Sequence, residues 1–195
     1  MQTADGNSIL KGVAIGPLRI FKRTEAEIAA LSTLTPAEEA ARFHAARVTA
    51  MEQIQTLYDK ALGEVGAADA AILVIHQMML EDEDYLEAVR RIMEEHGGTA
   101  EYAVSAAGRE FAAAFAAVED EYMRARSADV RDVSRRMVNI LTNRSDASMQ
   151  DSRPAILATD DLTPSEMVRL DKSKLLGIIT RHGSSSSHTA ILART

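Results

Sequence analysis

A chain of 195 residues, 46% hydrophobic and 26% charged, is long enough for one large domain or two small ones with a buried core. A net charge of −7 leaves no basic footprint for general nucleic-acid binding and disfavours an anionic membrane surface. The absence of Cys excludes disulfide and thiol chemistry. No apolar run approaches the roughly 18 residues that a membrane span needs. The opening MQTADGNSILKG has no basic segment followed by an apolar one. The expected location is the cytoplasm. Aromatics are only 4% and much of the apolar content is Ala, which favours closely packed helices over a large β-core.

Residues 8–21, SILKGVAIGPLRIF, are β-branched and carry Gly12, Gly16 and Pro17, so they predict one or two short strands around a turn. Residues 22–34 are a polar connection. TPAEEA at 35–40 then starts a helix, with Thr35 as N-cap, Pro36 in the first turn and Glu38 closing a capping box. Phe43, Ala50, Ile54, Leu57 and Ala61 follow at helical spacing. One or two further helices run from residue 66 to the Gly97-Gly98 stop. The next begins near Thr99 and carries Val104, Ala107, Phe111, Phe115, Val118 and Tyr122 on one stripe. A last helix is predicted over about 128–142. Residues 35–142 are therefore expected to be helical, as a bundle or a pair of helical hairpins.

After the polar stretch 143–153 the texture changes. PAILAT at 154–159 is a short strand, DLTPSEMVRL a helix with Thr163 as N-cap and Glu166 closing its box, and KLLGIIT at 174–180 a second strand. A serine loop and HTAILART complete a strand–helix–strand–loop–helix α/β pattern. Two short strands make a poor sheet alone, and so does the N-terminal segment. Joined, they form one sheet with the helices between them.

Gly183 and the serines of GSSSSH let a backbone approach a ligand closely. The start of a helix near His188 offers unpaired N–H groups and a partial positive charge, a setting for phosphate. A neutral imidazole there is a competent nucleophile near pH 7. Serine hydroxyls would then hold phosphoryl oxygens, the positioning on which phosphoryl transfer depends. By spacing alone, a serine run with one histidine is more often a solvated loop. A metal site on His182 and His188 lacks a third ligand at suitable spacing. There is no G-x-S-x-G and no Walker lysine.

The segment GIITRHGSSSSHTAILART resembles the phosphohistidine segment of phosphoenolpyruvate-utilising enzymes, and DLTPSE, 25 residues before His188, fits the same family. HQMMLEDEDYLE (76–87) and DEYMRARSADVRDVSRRMVNIL (120–141) resemble the helical insert of enzyme I of the phosphoenolpyruvate:sugar phosphotransferase system. The resemblance implies a mixed α+β and α/β fold: a swivelling phosphohistidine α/β domain (1–30 plus 144–195) with an inserted all-α helical-hairpin domain (31–143) that binds HPr. It implies a phosphotransferase that takes phosphate from phosphoenolpyruvate onto His188 and passes it to a histidine of HPr during sugar uptake. Gly183, Ser186, Ser187 and Thr189 would bind phosphate. Met78, Met79, Leu80, Glu83 and Asp84 would dock HPr, with His76, Arg126 and Arg131 near the interface. The family continues into a barrel that binds phosphoenolpyruvate and magnesium. The 195 residues are therefore expected to be an incomplete, monomeric portion of a homodimer, with no cofactor or metal site of their own and no membrane or nucleic-acid partner.

There are departures from the family pattern. A run of serines replaces the two glycines and Thr of many members, Met167 replaces a hydroxyl residue of some, and Ala67-Ala68 replace acids. Two other readings stay open: a non-catalytic helical interaction module, for which His188 is dispensable, and the matching domain of a paralogous phosphorelay enzyme.

Overall fold

Pairing between distant parts of the chain sets the architecture. In the computed structural model, which describes residues 5–23, 27–144, 153–183 and 188–193, strand β1 (Leu18–Phe21) pairs with β2 (Ala155–Thr159) and β2 with β3 (Leu175–Thr180). All pairings are parallel, in the order β1-β2-β3, with Leu18 opposite Ile156 and Ile156 opposite Gly177. Parallel neighbours need a crossover. Between β2 and β3 it is a short helix and one 3-10 turn. Between β1 and β2 it is the whole helical block.

That block has five helices: α1 (Pro36–Val65), α2 (Ala67–Glu81), α3 (Glu83–His96), α4 (Ala100–Ala116) and α5 (Glu121–Leu141). Local chemistry sets most of the boundaries. Thr35 accepts from Glu38 N while Glu38 Oε2 accepts from Thr35 N at 2.8 Å, the predicted capping box. Asp82 accepts from Tyr85 N at 2.9 Å and separates α2 from α3. Gly97 ends α3 in the left-handed region at φ 57°, where a side chain would be strained. Thr99 caps α4, and Asp120 caps α5 through Met123 N at 2.8 Å.

Of residues 8–21, Leu18–Phe21 form a strand, within the expected one or two, and Ala14 and Gly16 lie against Gly177 and Leu176 of β3. Two expectations need correction. The stripe that ran to Tyr122 stops at Ala116, because Asp120 is a good N-cap and opens a new helix. For the same reason the last helix begins at Glu121 rather than near 128.

The core runs through Ala50 and Ile54 of α1, Leu73 and Leu80 of α2, Val104 and Ala107 of α4, and Met137 of α5. Small residues bring α4 against α5. A Cβ placed on Gly108 would lie 2.3 Å from Ser134 Oγ and 2.6 Å from Ser134 Cβ. Ser134 also meets the hydroxyl of buried Tyr85 at 3.0 Å, and the Tyr85 ring stands edge-on to Phe111 at 5.6 Å. Burial pushes the Tyr85 phenol up to about 12, against the opposing hydrogen bond from Ser134. Buried Glu39 caps α4 at Ala100 N (2.9 Å) and pairs with Arg42.

One face of the sheet buries Phe21 and Leu157 against this block, while Leu18 and Ile20 on the other face are exposed. The short helix α6 (Pro164–Arg169) packs on α1 and α2. Polar ties join it to the block, including Lys60 Nζ to the Val168 carbonyl and Ser165 Oγ to Asp132 Oδ1 at 2.9 Å.

Gly108→Ala is expected to destabilise the protein by about 1–3 kcal/mol, because Ser134 has to shift with its backbone. The midpoint of urea unfolding reads this directly; an unchanged midpoint would mean that α4 and α5 are not held this closely.

Candidate functional site

The site is built on the DLTPSE segment. Pro164 enters the first turn of α6 and Thr163 caps it, accepting from Glu166 N at 3.2 Å while Glu166 Oε2 accepts from Thr163 N at 2.8 Å. Glu166 also receives Arg23, which follows β1, through Nε at 2.8 Å and through Nη2. Arg23 Nη2 reaches the Asp161 carbonyl at 2.9 Å. One carboxylate thus caps α6 and fastens the end of β1 to it.

Beyond β3 the chain turns over the ends of the strands. The Arg181 and His182 amides donate to the carbonyls of Thr159 (3.1 Å) and Asp160 (2.8 Å). Gly183 then takes φ 126°, a conformation that favours glycine. Its missing side chain would face Thr180 Oγ1 at 3.8 Å and Asp161 Oδ1 at 4.0 Å. Helix α7 (His188–Ala193) starts at His188 and packs on α6 and α2, burying Ala190 and Leu192. The 181–183 turn therefore lies at the C-terminal edge of a parallel sheet, the usual place for a ligand in such folds.

The structure places the expected residues unevenly. Gly183 opens the loop and His188 opens α7. Ser186 and Ser187, like the His188 side chain, lie outside the described residues. Thr189 donates its hydroxyl proton to the Leu162 carbonyl at 2.8 Å. That proton is committed, so the Thr189 hydroxyl anchors α7 rather than donating to a phosphate. Met167 is buried in the core.

The docking residues divide by burial. Met78, Glu83, Asp84 and Arg131 are exposed and Met79 is half-buried. Leu80, His76 and Arg126 are buried, at 0%, 1% and 7% exposure. These three are withdrawn from the docking surface as contact residues. Leu80 faces the core. Residues missed by the sequence reading are Ala71 and Val74, which are exposed with Met78 on one stripe of α2. Spacing of three and four was the available signal.

His76 and Arg126 instead join a buried polar connector. Arg126 lies over the Tyr122 ring at 4.4 Å, bonds its hydroxyl, and donates to Asp129 Oδ2 at 3.1 Å. Asp129 Oδ1 is 3.5 Å from His76 Nε2, and His76 Nδ1 is 4.0 Å from Asp132 Oδ2. Asp132 then accepts from Ser165 on α6. The connector runs from the start of α5, past α2, to the helix beneath α7. Asp129 and Asp132 were not singled out from sequence, and Tyr122 was read only as part of an apolar stripe. Among the described residues, no group of three or more His, Asp or Glu is arranged to hold a metal ion.

Comparison with known proteins accords with this arrangement. Residues 5–126 match the family model described as PEP-utilising enzyme, N-terminal, and residues 152–195 match PEP-utilising enzyme, mobile domain. The chain belongs to the phosphoenolpyruvate-utilising enzyme family. It is 34% identical to the phosphoenolpyruvate-protein phosphotransferase of Haemophilus influenzae over 80% of this chain and 28% of that protein. It is 32% identical to that of Geobacillus stearothermophilus over 100% of this chain and 34% of that protein. The chain thus spans about a third of the length of these relatives. Two solved structures share the fold. A solution NMR structure of an Enzyme I protein matches at TM-score 0.74 and 30% identity, covering 95% of this chain and 76% of that one. The N-terminal domain of Enzyme 1 – Nitrogen matches at 0.67 and 27%, covering 95% and 77%.

Burial pushes the Asp161 carboxyl above its usual range, and the Leu162 amide, Arg23 and His182 only partly oppose this. Such a group holds its proton more tightly when folded. Its contribution to stability declines as pH rises from the unfolded value through the folded one, then levels off. Asp161→Asn removes the titration and can still accept from Leu162 N. The wild-type-minus-variant difference in unfolding free energy is expected to fall as pH rises above the ordinary aspartate range, about pH 4. A difference that grows with pH would contradict the burial of this carboxyl.

Proposed function

We propose that this chain is the phosphoryl-carrier portion of an enzyme I-type phosphoenolpyruvate-protein phosphotransferase, with His188 as the carrier and HPr as the partner. One observation carries the reading: His188 opens α7, and Gly183, five residues before it, turns the chain at the edge of the parallel sheet, both within the stretch that matches the mobile domain. In this reading a ring nitrogen of neutral His188 attacks the phosphorus of the donor. With phospho-HPr, one N–P bond forms as another breaks, and the exchange needs no co-reactant. With phosphoenolpyruvate, a P–O bond breaks and the enolate of pyruvate leaves, to be protonated afterwards. Phosphoenolpyruvate binding and magnesium are assigned to the part of the relatives' length that the chain does not span. The α/β part, 1–30 with 144–195, would swivel against the helical part, 31–143, between donor and acceptor.

Ser186 and Ser187 remain the proposed holders of the phosphoryl oxygens, together with the backbone near Gly183. The docking face is the α2 stripe Ala71–Val74–Met78 beside half-buried Met79, bordered by Glu83 and Asp84. It suits a partner with an apolar spot rimmed by Arg or Lys. Sugar uptake, a cytoplasmic location and a monomeric state for these 195 residues belong to the same reading. No helix among the described residues is long and apolar enough to cross a membrane. The likeness to the nitrogen-type domain supports a second reading, in which the partner is the HPr counterpart of that relay.

Incubation with labelled phospho-HPr is expected to transfer acid-labile, base-stable label to the wild type and none to His188→Ala. Met78→Lys is expected to weaken HPr binding by about tenfold or more, since it places a cation where an apolar anchor sits. Failure of the wild type to label, with binding intact, would reduce the chain to a docking module. Preferential labelling by the nitrogen-type carrier would select the second reading.

A further inference from the structure

The C-terminal segment holds two histidines, His182 and His188, and the proposed function uses only the second. We propose, on the reading of His188 as the carrier, that His182 is a second functional histidine: its ring donates a hydrogen bond to the phosphoryl group that His188 carries.

The chain holds the two positions close. The Arg181 and His182 amides donate to the carbonyls of Thr159 at 3.1 Å and Asp160 at 2.8 Å. Both bonds run past the last β2–β3 pair, Thr159 with Thr180, and set His182 over the end of β2. Thr189, the residue after His188, is tied to the same stretch through the Leu162 carbonyl at 2.8 Å. Asp160 and Leu162 are two residues apart, at most about 7 Å of extended chain. Residues 182 and 189 are thereby fastened on either side of Asp161. The His182 ring is exposed, and its electrostatic effect on the Asp161 carboxyl places it beside that residue.

The charges at this edge call for such a donor. A phosphoryl group adds negative charge and three acceptor oxygens, and residues 183–189 contain no Lys or Arg. The charged side chains that act on Asp161 are Arg23, Glu166 and His182. Arg23 is held by Glu166 through Nε and Nη2, and Arg181 Nη1 stands 3.4 Å from Asp160 Oδ1. His182 has no such fork to give up. Asp161 does not bar the anion, because burial favours its protonated carboxyl and its Oδ1 accepts from Leu162 N at 2.8 Å. When ionised, Asp161 is placed to orient the His182 ring, since the partner of one ring nitrogen decides which one carries the proton. The other nitrogen then faces the phosphoryl oxygens, and hydrogen bonds to charged acceptors are the strong ones.

Equilibrium labelling by phospho-HPr is the test, because a contact made only in the phosphorylated state shifts the transfer equilibrium. His182→Ala keeps the backbone bond to Asp160. It is expected to lower the equilibrium constant for transfer to the chain by roughly tenfold, with HPr binding unchanged. His182→Lys, which restores a donor, should recover most of the loss. In long-range proton–nitrogen spectra the His182 ring signals should shift when the wild type is phosphorylated. Wild-type labelling of a folded His182→Ala variant, or ring signals that do not move, would overturn the inference and leave His188 as the carrier. Label persisting on His188→Ala would overturn it too, by making His182 an acceptor. A wild type that takes no label overturns the carrier reading and this inference together. Should His182→Ala not fold, the ring spectra of the wild type decide.

Discussion

The Arg23–Glu166 pair is the interaction on which the rest of the structure depends. β1 contributes only four residues to the sheet, and its partner strand lies more than a hundred residues further on. Loop-closure entropy grows slowly with length but is large for so distant a contact. Four residues of ladder are a weak counterweight. Arg23 adds a two-pronged, partly desolvated ion pair directly after the strand, and Glu166 turns it into a helix cap as well. Removing Glu166 would leave a partly buried guanidinium without its carboxylate and α6 without half of its capping box. Strand β1 and helix α6 are therefore held by one side chain.

The helical block is stabilised differently. An apolar core that includes Ile54, Leu73, Leu80 and Met137 holds it, Gly108 lets α4 approach Ser134 of α5 closely, and its boundaries are set by Thr35, Asp82, Thr99 and Asp120 acting locally. Beside the Glu39 cap and the Tyr85–Ser134 pair, polar groups enter its interior as a line, Arg126–Asp129–His76–Asp132–Ser165. Buried polar atoms are costly unless paired. The line leaves one gap, since His76 Nε2 has no hydrogen-bond partner and stands 3.5 Å from Asp129. A line of this kind fixes relative placement more than it adds stability. It ends on α6, where the block meets the α/β part.

The capping boxes at Thr35 and Thr163 were legible in the sequence, because a cap depends on residues three apart. So was the succession of helices from 35 to 142. The end of α4 was not, since the apolar stripe continued through Val118 and Tyr122 while Asp120 had already begun the next helix. The docking face was legible only in part. Helix α2 is apolar nearly all round, so periodicity alone does not say that Leu80 faces inward and Val74 outward. Packing against α1 and α5 decides it. His188 stood out through its resemblance to a known segment, whereas the role of the Thr189 hydroxyl depends on where the Leu162 carbonyl comes to lie.

Helix α2 links the two halves of the proposed function. Its buried face carries His76 and supports α7, and its exposed stripe carries Met78. An α-helix with its side chains is about 10–12 Å across, whereas phosphoryl transfer brings the reacting atoms to about 3–3.5 Å. A partner seated on the stripe is thus separated from elements behind α2 by more than the reaction tolerates. In the proposed reading the gap closes either by the partner reaching around α2 or by the α/β part turning relative to the block. The second route would exchange the polar ties across that junction, Ser165 to Asp132 and Lys60 to the Val168 carbonyl, for water at little net free energy, but it would also have to part Phe21 and Leu157 from the apolar core they share with the block.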